Sequence, residues 1–191
     1  MSVFNEFVEM NGMIKNNGWI ECNHFGVPLK PEWFRNFFQV LLSFLGCCRI
    51  CTNLDGCYFV DSNAPHLPLH EYCHCEKKII SSSLVRSKAV ASMPIEKITK
   101  YIFGEKGSKN GKTEIFNSFG FTIDDAEYLN LEFQNQALKN YLNGNYNLEN
   151  LDELGQRLAI PINLNGHLFY SGWIVEPEGK IRNTTPFGGW I

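Results

Sequence analysis

The seven cysteines of this 191-residue chain are confined to one stretch, which limits what that stretch can fold into. They are Cys22, Cys47, Cys48, Cys51, Cys57, Cys73 and Cys75, and the 116 residues that follow contain none. An odd number of cysteines without a secretory signal disfavours a disulfide framework. The crowding therefore predicts a local unit that depends on cysteine chemistry.

Two short cysteine pairs have the spacing of metal ligands. Cys48-x-x-Cys51 forms one knuckle, and Cys73-x-Cys75 forms a tighter second pair, with His70 as the reserve ligand. Two such pairs commonly hold Zn²⁺, because one turn can offer two side chains to the same ion. A structural zinc site is favoured over a catalytic one, which would keep an open position beside an acid or base. Free thiols in a packed turn region are the main alternative, and disulfides are the third.

The charge of the chain argues against a general nucleic-acid binder. The formal net charge is −3, and residues 94–191 carry nine basic against twelve acidic side chains. Tight non-specific binding of RNA or DNA needs a strongly basic surface. The charge balance weighs against that class of protein and leaves room for a small basic patch.

The N-terminus predicts a cytoplasmic protein that makes no membrane contact. It carries acidic residues where a secretory signal has basic ones, and no apolar run long enough to span a bilayer follows. Export by a non-classical route stays open, because some toxins leave cells without such a signal. The sequence does not predict the oligomeric state.

Residue patterns predict an α+β chain with an organisational boundary near residue 93. Residues 1–93 are expected to form a helical N-terminal part with a small zinc-knuckle-like Cys/His unit. Its clearest helix is LKPEWFRNFFQVLLSFLG, residues 29–46, where apolar side chains recur at helical spacing. CYFVD, between turns, predicts a short strand.

Residues 94–191 are expected to form helices packed on an antiparallel β-sheet. One helix is predicted at 94–103, and SKNGKTEIFNSFGF after it is expected to be a loop leading to a hairpin or a strand. TIDDAEYLNLEFQNQALKNYLNG predicts a long second helix, capped by Thr122 or Asp124. Two or three strands with a turn at PEGK complete the half. The apolar face of the long helix is expected to consist of Tyr128, Leu131, Leu138, Tyr141 and Leu142.

Candidate catalytic residues lie in the second half. A metal-independent ribonuclease needs a base for the 2′-hydroxyl proton, an acid for the leaving oxygen and a cation for the phosphate. His167 at a strand start, Lys112 in a Gly-rich loop and Thr185 at a strand end are the candidates. Each has an ordinary structural explanation as well, as a surface, turn or strand-end residue. Other residues noted near the sheet are Arg157, Tyr170, Arg182 and Thr184, whereas Trp173 and Trp190 are expected in the core rather than as base-stacking platforms.

The cysteine-rich stretch CRIC…DGCYFVDSNAPHLPLHEYCHC resembles the tail segment of the phage head-morphogenesis (Mu F-like minor capsid) family. The matching residues are Cys48, Cys51, Pro68, His70, Cys73 and Cys75. Glu71 stands where the family usually has a proline. In bacteria such segments are often joined to C-terminal toxin domains, which implies a phage-derived carrier unit in this chain.

Residues 97–190 resemble a C-terminal domain of unknown function from bacterial polymorphic toxins, which is similar to small ribonuclease-like α+β folds. The resemblance rests on element order and on Lys97, Gly111, Lys112, Phe116, Gly120, Phe121, Trp173 and Thr185. It implies a toxin with an RNA substrate and a cognate immunity protein as partner.

Three functions remain open from the sequence. The first is a toxin-type ribonuclease carried by a zinc-stabilised N-terminal unit. The second is a non-enzymatic, phage- or prophage-derived module that acts through protein contacts. The third, a zinc-dependent nucleic-acid-binding regulator, is disfavoured because no basic recognition helix is visible.

Overall fold

The computed structural model describes residues 37–42, 49–60, 64–65 and 75–191. Its helices are α1 (Arg49–Leu54), α2 (Ser82–Lys88), α3 (Glu96–Thr99), α4 (Glu105–Lys109), α5 (Lys112–Ser118) and α6 (Ala126–Leu142), with a 3₁₀ turn at Ile123–Asp125. Its strands are β1 (Phe37–Leu42), β2 (Tyr58–Val60), β3 (Cys75–Ile80), β4 (Val90–Ser92), β5 (Asn147–Asp152), β6 (Gly155–Leu164), β7 (His167–Glu176) and β8 (Lys180–Trp190). The predicted α+β class is confirmed.

A small antiparallel sheet contains the first three strands, in the order β2-β1-β3. Phe37 lies opposite both Val60 and Ile80 in the two ladders. The helix predicted over 29–46 is therefore wrong at 37–42, and its other residues lie outside the described part. A short apolar run such as FFQVLL is compatible with a strand or a helix. Here it forms a strand, because it pairs with β2 on one side and with β3 on the other. The strand predicted in CYFVD is confirmed as β2.

A five-stranded mixed sheet forms the centre of the second half, in the order β4-β8-β7-β6-β5. The last four strands of the chain are antiparallel neighbours, and the turn between β7 and β8 falls at PEGK as predicted. The sheet is not wholly antiparallel, because β4 pairs parallel to β8, with Val90 opposite Lys180. The boundary near residue 93 stays a prediction.

The long helix α6 covers one face of this sheet. Thr122 and Asp125 form a capping box before it, which satisfies backbone donors that a helix start leaves unpaired. Its buried residues are Ala126, Leu129, Phe133, Ala137 and Tyr141. The predicted apolar face was wrong at Tyr128 and Leu131, which are 56% and 59% exposed. The buried residues are three or four positions apart, so they form one stripe along the helix, and Tyr128 and Leu131 lie outside it.

The segment between α3 and α6 is helical rather than extended. Backbone hydrogen bonds from Ile102 and Phe103 to the Ile98 carbonyl continue the α3 turn to the end of the helix predicted at 94–103. The expected loop and strand after it are instead α4 and α5. Phe116 of α5 is fully buried and packs against Phe133 and Phe169. A helix of seven residues is too short to be stable by itself. Burial of the Phe116 side chain against other aromatic rings stabilises it.

No helix in the described ranges is long and apolar enough to cross a membrane.

Candidate functional site

Three lysine ammonium groups surround the ring of Tyr101. Their Nζ atoms lie 5.7 Å (Lys97), 5.9 Å (Lys106) and 4.6 Å (Lys112) from the ring centroid. Distances within about 6 Å permit cation–π attraction, in which the negative ring face draws the positive charge. We call these four residues the lysine–tyrosine cluster. It concentrates positive charge on a chain whose net charge is negative.

Three successive helical segments deliver the cluster. Lys97 in α3 and Tyr101 after it are four residues apart, which places them on one side of the same turn. Lys106 comes from α4, and Lys112 is the first residue of α5. Because the connections are short, side chains from all three segments converge on one ring.

Two contacts to Ile102 hold these segments together. The Thr113 hydroxyl donates to the Ile102 carbonyl oxygen at 2.6 Å, which ties α5 to the end of α3. Gly107 approaches the same oxygen so closely that a Cβ on Gly107 would lie 1.8 Å from it. Only glycine fits there, and its absence of a side chain lets α4 bring Lys106 towards Tyr101.

Strand β8 supplies acceptors for two of the lysines. Lys97 Nζ donates to the Thr184 carbonyl oxygen at 2.6 Å, and Lys112 Nζ donates to the Phe187 carbonyl oxygen at 3.2 Å. These bonds attach α3 and α5 to the same part of β8. A lysine ammonium has three donors, so each of these two lysines keeps donor capacity for a ligand.

The β7–β8 ladder is irregular at this point. Asn183 lies opposite Trp173 and Thr185 lies opposite Gly172, so Thr184 is an extra residue on β8. Such a bulge bends the strand and redirects its side chains, and bulges are frequent beside active sites. The irregularity places the Thr184 carbonyl against Lys97.

Hydrogen bonds of the buried Asn183 side chain connect β7 and β8 next to Thr184. The Asn183 amide donates to Ser171 Oγ at 3.0 Å and to the Gly172 carbonyl at 3.2 Å. Ser171 Oγ in turn donates to the Thr185 carbonyl at 3.1 Å. Buried polar groups need partners, so this chain of bonds specifies one arrangement of β7 and β8.

The cluster lysines lack carboxylate partners in the ranges the structure describes. Residues 97–112 contain five lysines and one acid, Glu105, whose carboxylate pairs with Lys109 at 2.6 Å. By contrast, the arginines noted from the sequence are neutralised: Arg157 pairs with Asp152 and Arg182 pairs with Glu176. Unpaired, converging cations attract an anion such as a phosphate.

The structure brings together only part of the predicted catalytic set. Lys112 belongs to the cluster, and Thr185 lies between the two β8 acceptors, Thr184 and Phe187. His167 lies elsewhere: it opens β7 opposite Leu164, five residues and about 16 Å of strand before the partner of Thr185. The roles of all three residues stay predictions: Lys112 donates to β8 at Phe187, Thr185 lies on the same strand, and His167 lies further along β7.

The exposed His167 ring packs at the far end of α5 instead. It stacks on Phe119, with ring centroids 4.3 Å apart and an angle of 15° between the rings. Phe119 caps the C-terminal end of α5, whereas Lys112 begins that helix. The other sheet residue noted from the sequence, Tyr170, accepts a hydrogen bond from Asn147 at 3.0 Å.

Lys106 and Tyr101 were missed from the sequence as site residues, and Lys97 was noted only through a family resemblance. The density of lysine over residues 97–112 was the available signal. Lysine density alone does not identify a site, because an exposed lysine run is usually a solvated helix face. The fold is needed to show that three of these side chains converge on Tyr101.

The predicted metal ligands cannot be placed. Cys48, His70 and Cys73 lie outside the described residues, and only the backbones of Cys51 in α1 and Cys75 in β3 are described. Elsewhere in the described ranges, no three His, Cys, Asp or Glu side chains form a metal-binding group. The structural zinc site therefore stays a prediction.

Cys57 is a buried free cysteine rather than part of an exposed thiol cluster. Its Sγ lies 3.4 Å from the Asn53 carbonyl oxygen. Burial, with smaller contributions from the carboxylates of Asp55 and Glu176, raises the pKa of this thiol to about 12. At neutral pH this thiol is protonated, so it is a poor nucleophile.

Comparison with known families gives a match to the second half of the chain. The model of a family described as Domain of unknown function (DUF6883) matches residues 86–185, about half of the chain. The matched segment contains the whole lysine–tyrosine cluster, Thr184 and Thr185. Neither the curated proteins nor the solved structures include a significant match to this chain.

Proposed function

The chain belongs to the DUF6883 family of domains of unknown function, and we propose that this domain is a toxin-type ribonuclease that cleaves RNA at the lysine–tyrosine cluster without a catalytic metal ion. The observation that supports the proposal is the convergence of Lys97, Lys106 and Lys112 on Tyr101 without carboxylate partners in the described ranges. Two of these lysines are anchored by backbone carbonyls, so their positions are set before a ligand arrives.

The substrate that best fits the cluster is a phosphodiester. Lysine ammonium groups bind phosphate as point charges, and several of them around one site can share its non-bridging oxygens. The acidic remainder of the chain disfavours long tracts of duplex, because tight binding to duplex needs many phosphate contacts. A single flexible strand that presents one phosphate at a time is the better substrate.

In the proposed reaction, the 2′-oxygen of a ribose attacks the adjacent phosphorus and the bond from phosphorus to the 5′-oxygen breaks. The 2′-hydroxyl proton passes to water. Lys97 or Lys112 gives an ammonium proton to the departing 5′-oxygen and is then reprotonated by solvent. The products end in a 2′,3′-cyclic phosphate and a 5′-hydroxyl. The remaining positive charges stabilise the negative charge that develops on the phosphoryl oxygens in the transition state.

The test is incubation of the purified chain with labelled single-stranded RNA in the presence of a chelator. We expect cleavage to products with 2′,3′-cyclic phosphate ends and no cleavage of DNA of the same sequence, which lacks the attacking hydroxyl. Lys112→Gln should lower the rate by about 10²–10³-fold, as removal of one electrostatic group does in other enzymes.

Lys109→Gln is the matched control, because Lys109 lies in the same lysine run but pairs with Glu105. Its rate should stay within about twofold of the parent. RNA that remains intact at high protein concentration would refute the proposal. A rate that falls equally in both variants would show that general charge, not the cluster, is responsible.

A non-enzymatic, phage-derived interaction module is the second candidate. The outer side of the α6 region carries three exposed apolar residues, Ile123, Tyr128 and Leu131, which are 46%, 56% and 59% exposed. Exposed apolar side chains in one region are typical of protein contacts, including those of an immunity protein. Growth arrest that persists on expression of Lys112→Gln would favour this candidate over catalysis.

A further inference from the structure

Trp190 is exposed, although the sequence suggested a core position. The fraction of this side chain in contact with solvent is 57%, whereas Trp173 is fully buried. Trp190 stands edge-on to Phe187 and Phe119, with centroid distances of 5.3 and 5.7 Å. These two rings support the indole from below and leave much of its surface to solvent.

His167 extends the same aromatic surface. Its ring is exposed and stacks on Phe119 at 4.3 Å. Trp190 and His167 therefore share Phe119 as their support. We call these two exposed rings the aromatic shelf. It lies on strands β7 and β8, which makes it a surface of the sheet rather than of a loop.

Phe187 links the shelf to the lysine–tyrosine cluster. Lys112 Nζ lies 5.9 Å from the Phe187 ring centroid, and the ring centroids of Phe187 and Trp190 are 5.3 Å apart. The ammonium group is therefore within about 11 Å of the indole. A positive group beside an exposed aromatic surface suits a single strand, in which phosphates alternate with bases that can stack.

We propose that the aromatic shelf is a base-binding subsite: it stacks a nucleobase of single-stranded RNA while the adjoining lysine–tyrosine cluster binds a neighbouring phosphate. The occupant is a base rather than an apolar protein segment, because the shelf consists of aromatic rings and borders three lysines that have no carboxylate partner in the described part of the chain. Stacking is tolerant of base identity, so the subsite predicts affinity for single strands without strong sequence preference. This inference rests on the proposed function and extends it to substrate selection.

The test measures binding separately from cleavage. The probes are a short 2′-O-methyl oligoadenylate, which cannot be cleaved through its 2′-oxygen, and an abasic sugar–phosphate chain of the same length. We expect the parent protein to bind the oligoadenylate more tightly than the abasic chain. Trp190→Leu, which keeps an apolar side chain over Phe187, should weaken oligoadenylate binding by about tenfold and leave abasic binding within about twofold. Trp190→Phe should restore most of the loss.

Lys112→Gln provides the complementary variant, because it should weaken binding of both probes. Thermal unfolding of each variant shows whether the fold is intact, and Trp190→Phe guards against a loss caused by misfolding. Equal affinity of the parent for both probes, failure to bind either probe, or no effect of Trp190→Leu would overturn the subsite. Selective loss in Trp190→Leu without RNA cleavage by the parent would keep the subsite and refute the ribonuclease.

Discussion

The ammonium nitrogen of Lys112 lies 4.6 Å from the centroid of the Tyr101 ring, the shortest of the three lysine distances to this ring in the described ranges. The two residues come from different helical segments, and the nitrogen also donates to the Phe187 carbonyl oxygen of β8. The ring and the carbonyl together hold one cation between a helix start and a sheet strand. Tyr101 is therefore the centre about which the lysines are arranged.

Replacement of Tyr101 separates the role of its ring from that of its hydroxyl. Tyr101→Phe keeps the negative ring face and should change phosphate-chain affinity by less than about threefold. Tyr101→Leu removes that face, and affinity should fall about fivefold, because cation–π attraction is worth up to about 1 kcal/mol at exposed sites. Calorimetric titration with the abasic chain measures both. Equal losses in the two variants would assign the role to the hydroxyl instead.

Gly107 and Gly111 should respond differently to alanine. Gly107→Ala places a Cβ 1.8 Å from the Ile102 oxygen, so the free energy of unfolding should fall by about 3 kcal/mol. Gly111 has a φ of 70° but open space around its Cβ position, so alanine there should cost only about 1–2 kcal/mol of backbone strain. Urea unfolding measures the two values. A smaller loss at Gly107 than at Gly111 would contradict the close approach of α4 to the end of α3.

The Tyr141 hydroxyl connects the long helix α6 to the small sheet. It is fully buried and donates to the Tyr58 carbonyl oxygen at 2.5 Å. Tyr141→Phe should lower the free energy of unfolding by about 1–3 kcal/mol, because it leaves that buried oxygen without its donor. Tyr128→Phe is the control, since Tyr128 is exposed on the same helix. Chemical denaturation of the three proteins should show a midpoint shift in Tyr141→Phe alone.

The buried thiol of Cys57 predicts a loss of stability at alkaline pH. Its pKa is raised from 9.0 to about 12 in the folded chain, so the unfolded chain releases the proton first. The contribution is constant below pH 9, and the free energy of unfolding then falls by up to about 1.4 kcal/mol per pH unit until about pH 12. Cys57→Ala should remove this part of the slope. Parallel curves for the parent and the variant between pH 9 and 11 would count against it.

The zinc prediction is independent of the RNA prediction and can be tested by metal analysis. We expect about one zinc ion per chain, held by Cys48, Cys51, Cys73 and Cys75 with His70 in reserve. A double substitution, Cys73→Ser with Cys75→Ser, should abolish the bound metal, whereas Cys57→Ala should retain it because Cys57 belongs to neither cysteine pair and is buried in the core. Removal of zinc with a strong chelator should lower thermal stability without slowing RNA cleavage. A parent protein without stoichiometric metal would leave the free-thiol interpretation.

Sequence patterns predicted the secondary structure correctly where a helix or a hairpin depends on residues close together in the chain. Helix α6 begins at a capping box and continues through one periodic pattern, and the hairpin of β7 and β8 turns at PEGK. The patterns gave a wrong prediction at β1, where an apolar run that is also compatible with a helix forms a strand. It does so because it pairs with strands some 20 to 40 residues away. The patterns also failed at α5, where Phe116 is stabilised by distant aromatic rings.

The candidate site was predictable in part for the same reason. Lys112 and Thr185 could be selected by residue type and position, but no local pattern predicts the β8 bulge at Thr184. Lys97 and Lys106 acquire significance only when three helical segments converge on Tyr101. His167 was selected for its chemistry alone, and the long β7 strand places it at the far end from Thr185.

The parallel pairing of β4 with β8 has a consequence for how the domain is made. Ser92 and Arg182 are neighbours in the sheet, so a ribosome must have translated nearly the whole domain before this edge can close. The Thr184 and Phe187 carbonyls that anchor the lysines emerge at the same late stage. A nascent chain therefore cannot assemble the lysine–tyrosine cluster early. The complete site forms only when translation of the domain is nearly finished.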